Sequence, residues 1–146
     1  MRSAVILAAG LSSRLAGTGE FKPLSRLAGP DGPGAATLLE RAAALFRAAG
    51  VERILVVAGH RAAETRAEAA RLGLGCVENP DYARGMLSSV RAGLAALPGD
   101  AGEARSSGDA GAAFVLPVDI PLVRPHTLRL LGEAQVVKKG RVSGWV

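Results

Sequence analysis

Aromatic side chains are nearly missing from this chain: one Trp, one Tyr and three Phe make up 3% of its 146 residues. So few rings disfavour an aromatic-filled β-sandwich core and leave little to stack the bases of a nucleic-acid strand. Cysteine is as scarce. Cys76 stands alone, so no internal disulfide can form, which suits a reducing compartment. No apolar run approaches the roughly 20 residues of a membrane-spanning helix. The stretch from Ala4 to Ala9 is too short for a signal peptide and runs into Gly10 rather than a cleavage site. The two histidines, His60 and His126, lack the spacing of metal ligands. These absences predict a cytoplasmic protein with neither a membrane nor nucleic acid among its partners.

What is present is small and aliphatic. Ala, Leu, Val and Gly carry most of an apolar fraction of 49%, which excludes a disordered chain and suits close packing of helices on a sheet. The net charge of +5 comes mainly from scattered arginines. Scatter rather than blocks favours an anionic small molecule as partner, although an Arg-rich surface composition would look the same.

Apolar runs and helical patterns alternate along the chain. Ala4-Val5-Ile6-Leu7-Ala8 is continuous, as expected of a strand buried on both faces. Residues 9–36, rich in Gly, Ser and Pro, read as loop. Thr37-Leu38-Leu39-Glu40 reads as a capping box that opens a helix running to Ala49 and stopping at Gly50. Strands are predicted at 53–58, 75–78 and 113–118, and helices at 62–72, 86–97 and 125–134. Asn79-Pro80-Asp81 signals a turn, residues 98–111 a surface loop, and residues 135–146 carry no pattern. The alternation implies right-handed crossovers and a single α/β domain: a three-layer, Rossmann-like, mainly parallel sheet with helices on both faces. In such sheets ligands sit at the carboxyl ends of the strands. That rule singles out the loop after Ala8 and the segment after Val118.

Both are chemically marked. Leu7-Ala8-Ala9-Gly10-Leu11-Ser12-Ser13-Arg14, followed by Lys22-Pro23, places a glycine just after a buried strand. Backbone N–H groups can then turn toward a phosphate with no Cβ in the way. Ser12 and Ser13 add hydroxyl donors. Arg14 and Lys22 add cationic charge, which a polyphosphate needs while negative charge moves onto its leaving group. Neither the Walker pattern nor G-x-G-x-x-G is present. By itself the loop also fits an ordinary turn with surface charges, and Asp119 an ordinary strand-end residue before Pro121.

The string resembles the signature L-A-[AG]-G-x-S-[ST]-R followed by a lysine, which marks the MobA-like NTP transferase family of molybdenum cofactor nucleotidyltransferases. Two further blocks agree. The stretch from Asn79-Pro80-Asp81-Tyr82 through Gly85, Ser89-Val90 and Gly93 to Leu94 resembles the family's N-P-x-[WY]-x-x-G-x-x-x-S-[LVI]-x-x-[GA] block. Pro117-Val118-Asp119-Ile120-Pro121 resembles its P-x-D-x-P strand end. The three blocks fall in order over most of the chain.

The resemblance implies the nucleotide-diphospho-sugar transferase type of fold and roles for single residues. Leu7, Ala8, Ala9, Gly10, Ser12 and Ser13 would bind the nucleotide, with Arg14, Lys22 and Asp119 as the catalytic set. Lys22 would neutralise phosphoryl oxygens, and Asp119 would ligate Mg²⁺. Asn79, Gly85 and Ser89 would line the base and ribose side, or the approach of the second substrate. His60, in Ala58-Gly59-His60, resembles the family's [TV]-G-[HY], which would let it approach the ligand; such a histidine is more often a solvated loop residue, and it is not counted in the site. Ala8-Ala9-Gly10 is the form that goes with cytidylyl rather than guanylyl transfer, so CTP is favoured over GTP. A methyl at Ala9 would crowd a purine more than a pyrimidine.

The expected reaction is Mg²⁺-dependent transfer of CMP from the NTP to a molybdopterin-type acceptor, with release of pyrophosphate. A guanylyltransferase of the same family, or a catalytically incomplete nucleotide-binding remnant, are the alternatives. Sugar-phosphate enzymes of this fold usually carry G-T-R where Ser12-Ser13-Arg14 stands. The match departs from the family at Leu15-Ala16, where Met-Gly is usual, and in the longer spacing from Arg14 to Lys22, which Gly17-Thr18-Gly19 absorbs. Family members also extend well past their D-x-P segment, so a C-terminally truncated domain over residues 1–146 is expected. Oligomeric state has no signature in the sequence.

Overall fold

The computed structural model describes residues 3–10, 21–29, 32–97 and 113–137. Ser12, Ser13 and Arg14 therefore lie outside the described residues, as does the expected loop at 98–111.

Four strands form one parallel sheet: β1 (Ser3–Ala8), β4 (Arg53–Ala58), β5 (Gly75–Glu78) and β6 (Ala113–Pro117), in the order β5-β4-β1-β6. β1 is central, and its residues from Ala4 onward are buried, which is why it reads as an unbroken apolar run. Its side chains divide by parity, because successive residues of a strand point to opposite faces. Ala4, Ile6 and Ala8 join one core, with Val56, Leu116, Leu39 and Phe46. Val5, Leu7 and Ala9 join a second, with Val57 and the half-buried Val77, Tyr82 and Val90.

Helices α1 (Leu38–Ala48), α2 (Ala62–Arg71) and α4 (Pro125–Val137) supply the first core through Phe46, Ala69 and Leu128, while α3 (Met86–Ala96) covers the other face. Helices thus lie on both sides of the sheet, as the sequence implied. Phe46 is fully buried, and its truncation to Ala would cost about 3–5 kcal/mol. α1 and α2 stop where glycines at positive φ, Gly50 and Gly73, were expected to stop them.

One expectation is corrected. Residues 26–29 and 32–37, expected as loop, form an antiparallel hairpin of β2 (Arg26–Gly29) and β3 (Gly32–Thr37), with an irregularity between Leu27 and Gly29. A Gly-rich two-stranded ladder is held by backbone groups, and these leave no alternation of side chains to detect. The hairpin delivers Thr37 to the start of α1, where its hydroxyl accepts from the Glu40 N–H at 3.1 Å and donates to Glu68 at 2.8 Å. This is half of the expected capping box. The Glu40 carboxylate turns to Arg71 at 3.0 Å. Among the described residues no helix is long and apolar enough to cross a membrane.

Candidate active site

Strand order locates the site before any side chain is considered. The chain steps outward from β1 to β4 and β5, then crosses back to place β6 on the other side of β1. Neighbouring loops at the β1–β6 boundary therefore leave toward opposite faces and open a crevice beyond the strand ends. A cavity of about 340 Å³ lies there, lined by Leu7, Ala8, Ala9, Gly10, Lys22, Pro23, Tyr82, Ala83, Gly85, Met86, Ser89, Pro117, Val118 and Asp119. Its volume is within the range of small-molecule sites. A second hollow, of about 580 Å³, is away from this switch point, against Arg47, Glu52, Arg53 and Cys76. Burial pushes the Cys76 thiol pKa up, which argues against a reactive thiolate there.

Each group in the crevice is positioned by local chemistry. The β1–β6 ladder continues one residue past β6, where Val118 N–H donates to the Leu7 carbonyl at 3.0 Å. Ile120 N–H then turns back to Pro117 O at 3.3 Å, which leaves Asp119 at the tip of a tight bend. Lys22 rides on a single 3-10 turn, Lys22–Leu24. Pro23 pre-sets the backbone angle of that turn, and the buried Phe21 and Pro23 fix it on either side of the lysine. The Lys22 ammonium meets the Asp119 carboxylate at 3.2 Å, with the two side chains 30% and 47% exposed. The longer spacing from Arg14 thus leaves Lys22 within the site.

The opposite wall comes from the Asn79–Ser89 segment. Asn79 is buried, and its side chain is fully engaged by its own chain. Its amide donates to Ser88 at 2.8 Å and Ser89 at 3.0 Å, while its oxygen accepts from Asp81 N–H at 3.0 Å. Ser89 and Gly85 line the cavity; Asn79, which does not, binds the Ser89 hydroxyl directly and reaches the Gly85 carbonyl only through Ser88. Gly85 sits at φ +103 as the residue capping α3, a backbone state that L side chains rarely adopt. Ala9 is 3% exposed, and its methyl is turned toward Gly59, where an added Cβ would approach it to 2.8 Å. Any influence of Ala9 on base size therefore acts through the spacing of this wall rather than through a methyl projecting into the cavity.

The sequence reading left His60 out of the site. It is half-buried, not solvated, and packs between Phe21 and Tyr82 with ring centroids 6.2 Å from each. Nothing local predicts this, since its partners are 39 residues before it and 22 after it along the chain.

Asp119 offers a hard oxygen donor beside the cavity. Among the described residues no group of three or more His, Cys, Asp or Glu converges to hold a metal ion. A cation bound here would therefore complete its shell with phosphate oxygens and water, which is the habit of Mg²⁺ rather than of a caged structural metal. The donor chemistry fits a shared divalent ion.

Comparison with known proteins gives the family. A curated relative, the bifunctional IPC transferase and DIPP synthase of Rubrobacter xylanophilus, is 46% identical over 98 residues, which cover 65% of this chain and 21% of that protein. A solved nucleotidyl transferase from Methanothermobacter superposes with a TM-score of 0.71 at 29% identity, covering 91% of this chain and 57% of that one. Rv0371c from Mycobacterium tuberculosis superposes at 0.63 with 28% identity, over 93% and 60% of the two chains. This chain thus spans about a fifth of the curated relative and less than two thirds of these solved structures. Residues 4–142 match the MobA-like NTP transferase domain, and the chain belongs to that family.

Proposed function

We propose that this chain transfers a nucleotide, CMP in preference to GMP, from an NTP to a phosphate-bearing acceptor with release of pyrophosphate. The observation that carries the reading is the meeting of Lys22 and Asp119 across the β1–β6 switch point, in the same cavity as Ala8, Ala9 and Gly10. An acceptor phosphate oxygen attacks the α-phosphorus in line. A new O–P bond forms, the bond to the β-phosphate oxygen breaks, and pyrophosphate leaves. The chain binds and orients the triphosphate on the loop after β1, and Lys22 neutralises the charge that gathers on the leaving group. Asp119 would hold a divalent cation, and that ion would supply Lewis-acid stabilisation of the same charge. Mg²⁺ is the ion we favour, and a structure of Rv0371c complexed with manganese supports a divalent ion of this kind. Ser12, Ser13 and Arg14 would complete the phosphate loop.

For the acceptor, the family resemblance favours molybdopterin. A second reading is favoured by the Rubrobacter relative, whose name is that of an IPC transferase, so the acceptor of that enzyme belongs in the same assay.

The first test is thermal stabilisation by CTP, GTP, ATP and UTP, each with and without Mg²⁺. A ligand that binds only the native state raises the midpoint with its occupancy. A Mg²⁺-dependent shift largest with CTP is expected, and the absence of a shift with any nucleotide would overturn the assignment. Pyrophosphate release with each candidate acceptor then separates the two readings.

A further inference from the structure

Three of the stretches that wall the cavity are the segment around Ala9 after β1, the Lys22-Pro23 turn that follows Phe21, and Tyr82-Ala83 after β5. One corner, Gly59-His60-Arg61 between β4 and α2, touches all three. The His60 N–H donates to the Ala9 carbonyl at 3.2 Å. Its ring meets Phe21 edge-on, at 6.2 Å and an interplanar angle of 69°, and Tyr82 at 6.2 Å and 56°. Both lie in the favourable range for aromatic pairs. The Arg61 guanidinium lies over the Phe21 ring at 4.8 Å, an attractive cation–π arrangement. Arg61 does so from a left-handed backbone at φ 53, with two contacts of 2.6 Å to the Glu64 carboxylate.

There is no slack in this corner. A Cβ on Gly59 would come within 2.7 Å of the Tyr82 Cβ and 2.8 Å of both the Ala9 Cβ and its carbonyl oxygen. Glycine at 59 lets the corner approach closely enough for the His60 ring to enter between Phe21 and Tyr82. Phe21 in turn is the residue before Lys22 and accepts the hydrogen bonds that close its turn, from Leu24 N–H at 2.9 Å and Ser25 N–H at 3.0 Å.

We propose that His60 is a positioning residue for nucleotide binding. Its ring sets the separation between the turn that carries Lys22 and the Tyr82 wall, and so the width of the cavity. The inference rests on the reading of this cavity as the NTP site. His60 acts through Phe21 and Tyr82, and the shape of the ring is what matters. Another aromatic ring therefore serves, and an aliphatic stub does not. The backbone bond to Ala9 survives any substitution of the side chain, which separates the two contributions of the residue.

Calorimetric titration of CTP with Mg²⁺ into wild type, His60→Ala and His60→Phe tests this, beside melting curves of each without ligand. His60→Ala should weaken CTP binding roughly tenfold, because small displacements of positioned groups are costly. His60→Phe should restore affinity to within about twofold of wild type. Should His60→Ala fail to fold, His60→Gln, which stays polar but lacks the ring, carries the same expectation. Wild-type affinity in His60→Ala or His60→Gln overturns the proposal, as does a folded His60→Phe that binds as weakly as they do. A wild type that does not bind CTP overturns the reading of the cavity and this inference with it. Tight wild-type binding with indifferent His60 variants overturns the inference alone.

Discussion

At the seam between α1 and α2, Arg71 reaches Glu68 at 2.8 Å and Glu40 at 3.0 Å, while Thr37 reaches Glu68 from the other side at 2.8 Å. At the cavity, Lys22 meets Asp119 at 3.2 Å, with both side chains open to solvent. The seam is occupied by its own chain. Glu68 is 11% exposed, and its pKa is held below the usual glutamate value, first by the hydrogen bond from Arg71 and then by that from Thr37. The Lys22–Asp119 pair borders the cavity at a topological switch point, where, on the proposed reading, a polyphosphate and its cation would each replace one partner. Two clusters of opposite charge thus differ in what they leave open. The seam cluster ties helices together, while in the proposed reaction the cavity pair would keep two opposite charges in place for a ligand that carries both.

The sharpest way to break this contrast is to remove the cavity pair. Lys22→Ala and Asp119→Asn should each lower pyrophosphate release about a hundredfold or more. Their melting midpoints should hardly move, because exposed pairs contribute about 0–1 kcal/mol. A Lys22→Ala enzyme with wild-type turnover would end the parallel.

Thr37→Ala reverses the pattern. It removes the cap of α1 and one partner of Glu68, and should cost about 1–2 kcal/mol of stability in urea unfolding, with CTP affinity unchanged.

The smallest effect concerns pH. The folded-state pKa of Glu68 is depressed, so its contribution is fully present above the ordinary value of 4.5 and is lost as pH falls through the folded value. Glu68→Gln should be less stable than wild type at pH 7 by about 1 kcal/mol or less. The gap should close in melts taken progressively below pH 4.5. A gap independent of pH would mean that the carboxylate charge is not what holds the seam.

Most elements could be read from the chain because their causes are local. Leu39, Phe46 and Val56 lie in patterns whose period states the element, Gly50 and Gly73 end helices by their backbone freedom, and a continuous apolar β1 announces a central strand. The β2–β3 hairpin escaped because its ladder is made by backbone groups that every residue type possesses. Lys22 and Asp119 were also singled out by the sequence, because strand-end position and charge are local properties, and the structure brings both to one cavity.

The sequence by itself determined an alternating α/β chain with a Gly- and Ser-rich segment after its first strand and a carboxylate after its last. Only the tertiary structure decided that Lys22 and Asp119, 97 positions apart, face one another, that Asn79 stands behind the wall rather than in it, and that His60 is wedged between Phe21 and Tyr82. Local patterns fix which backbone state each segment prefers. Which segments become neighbours is decided by strand order and crossover hand, and these depend on burying both faces of one sheet at once.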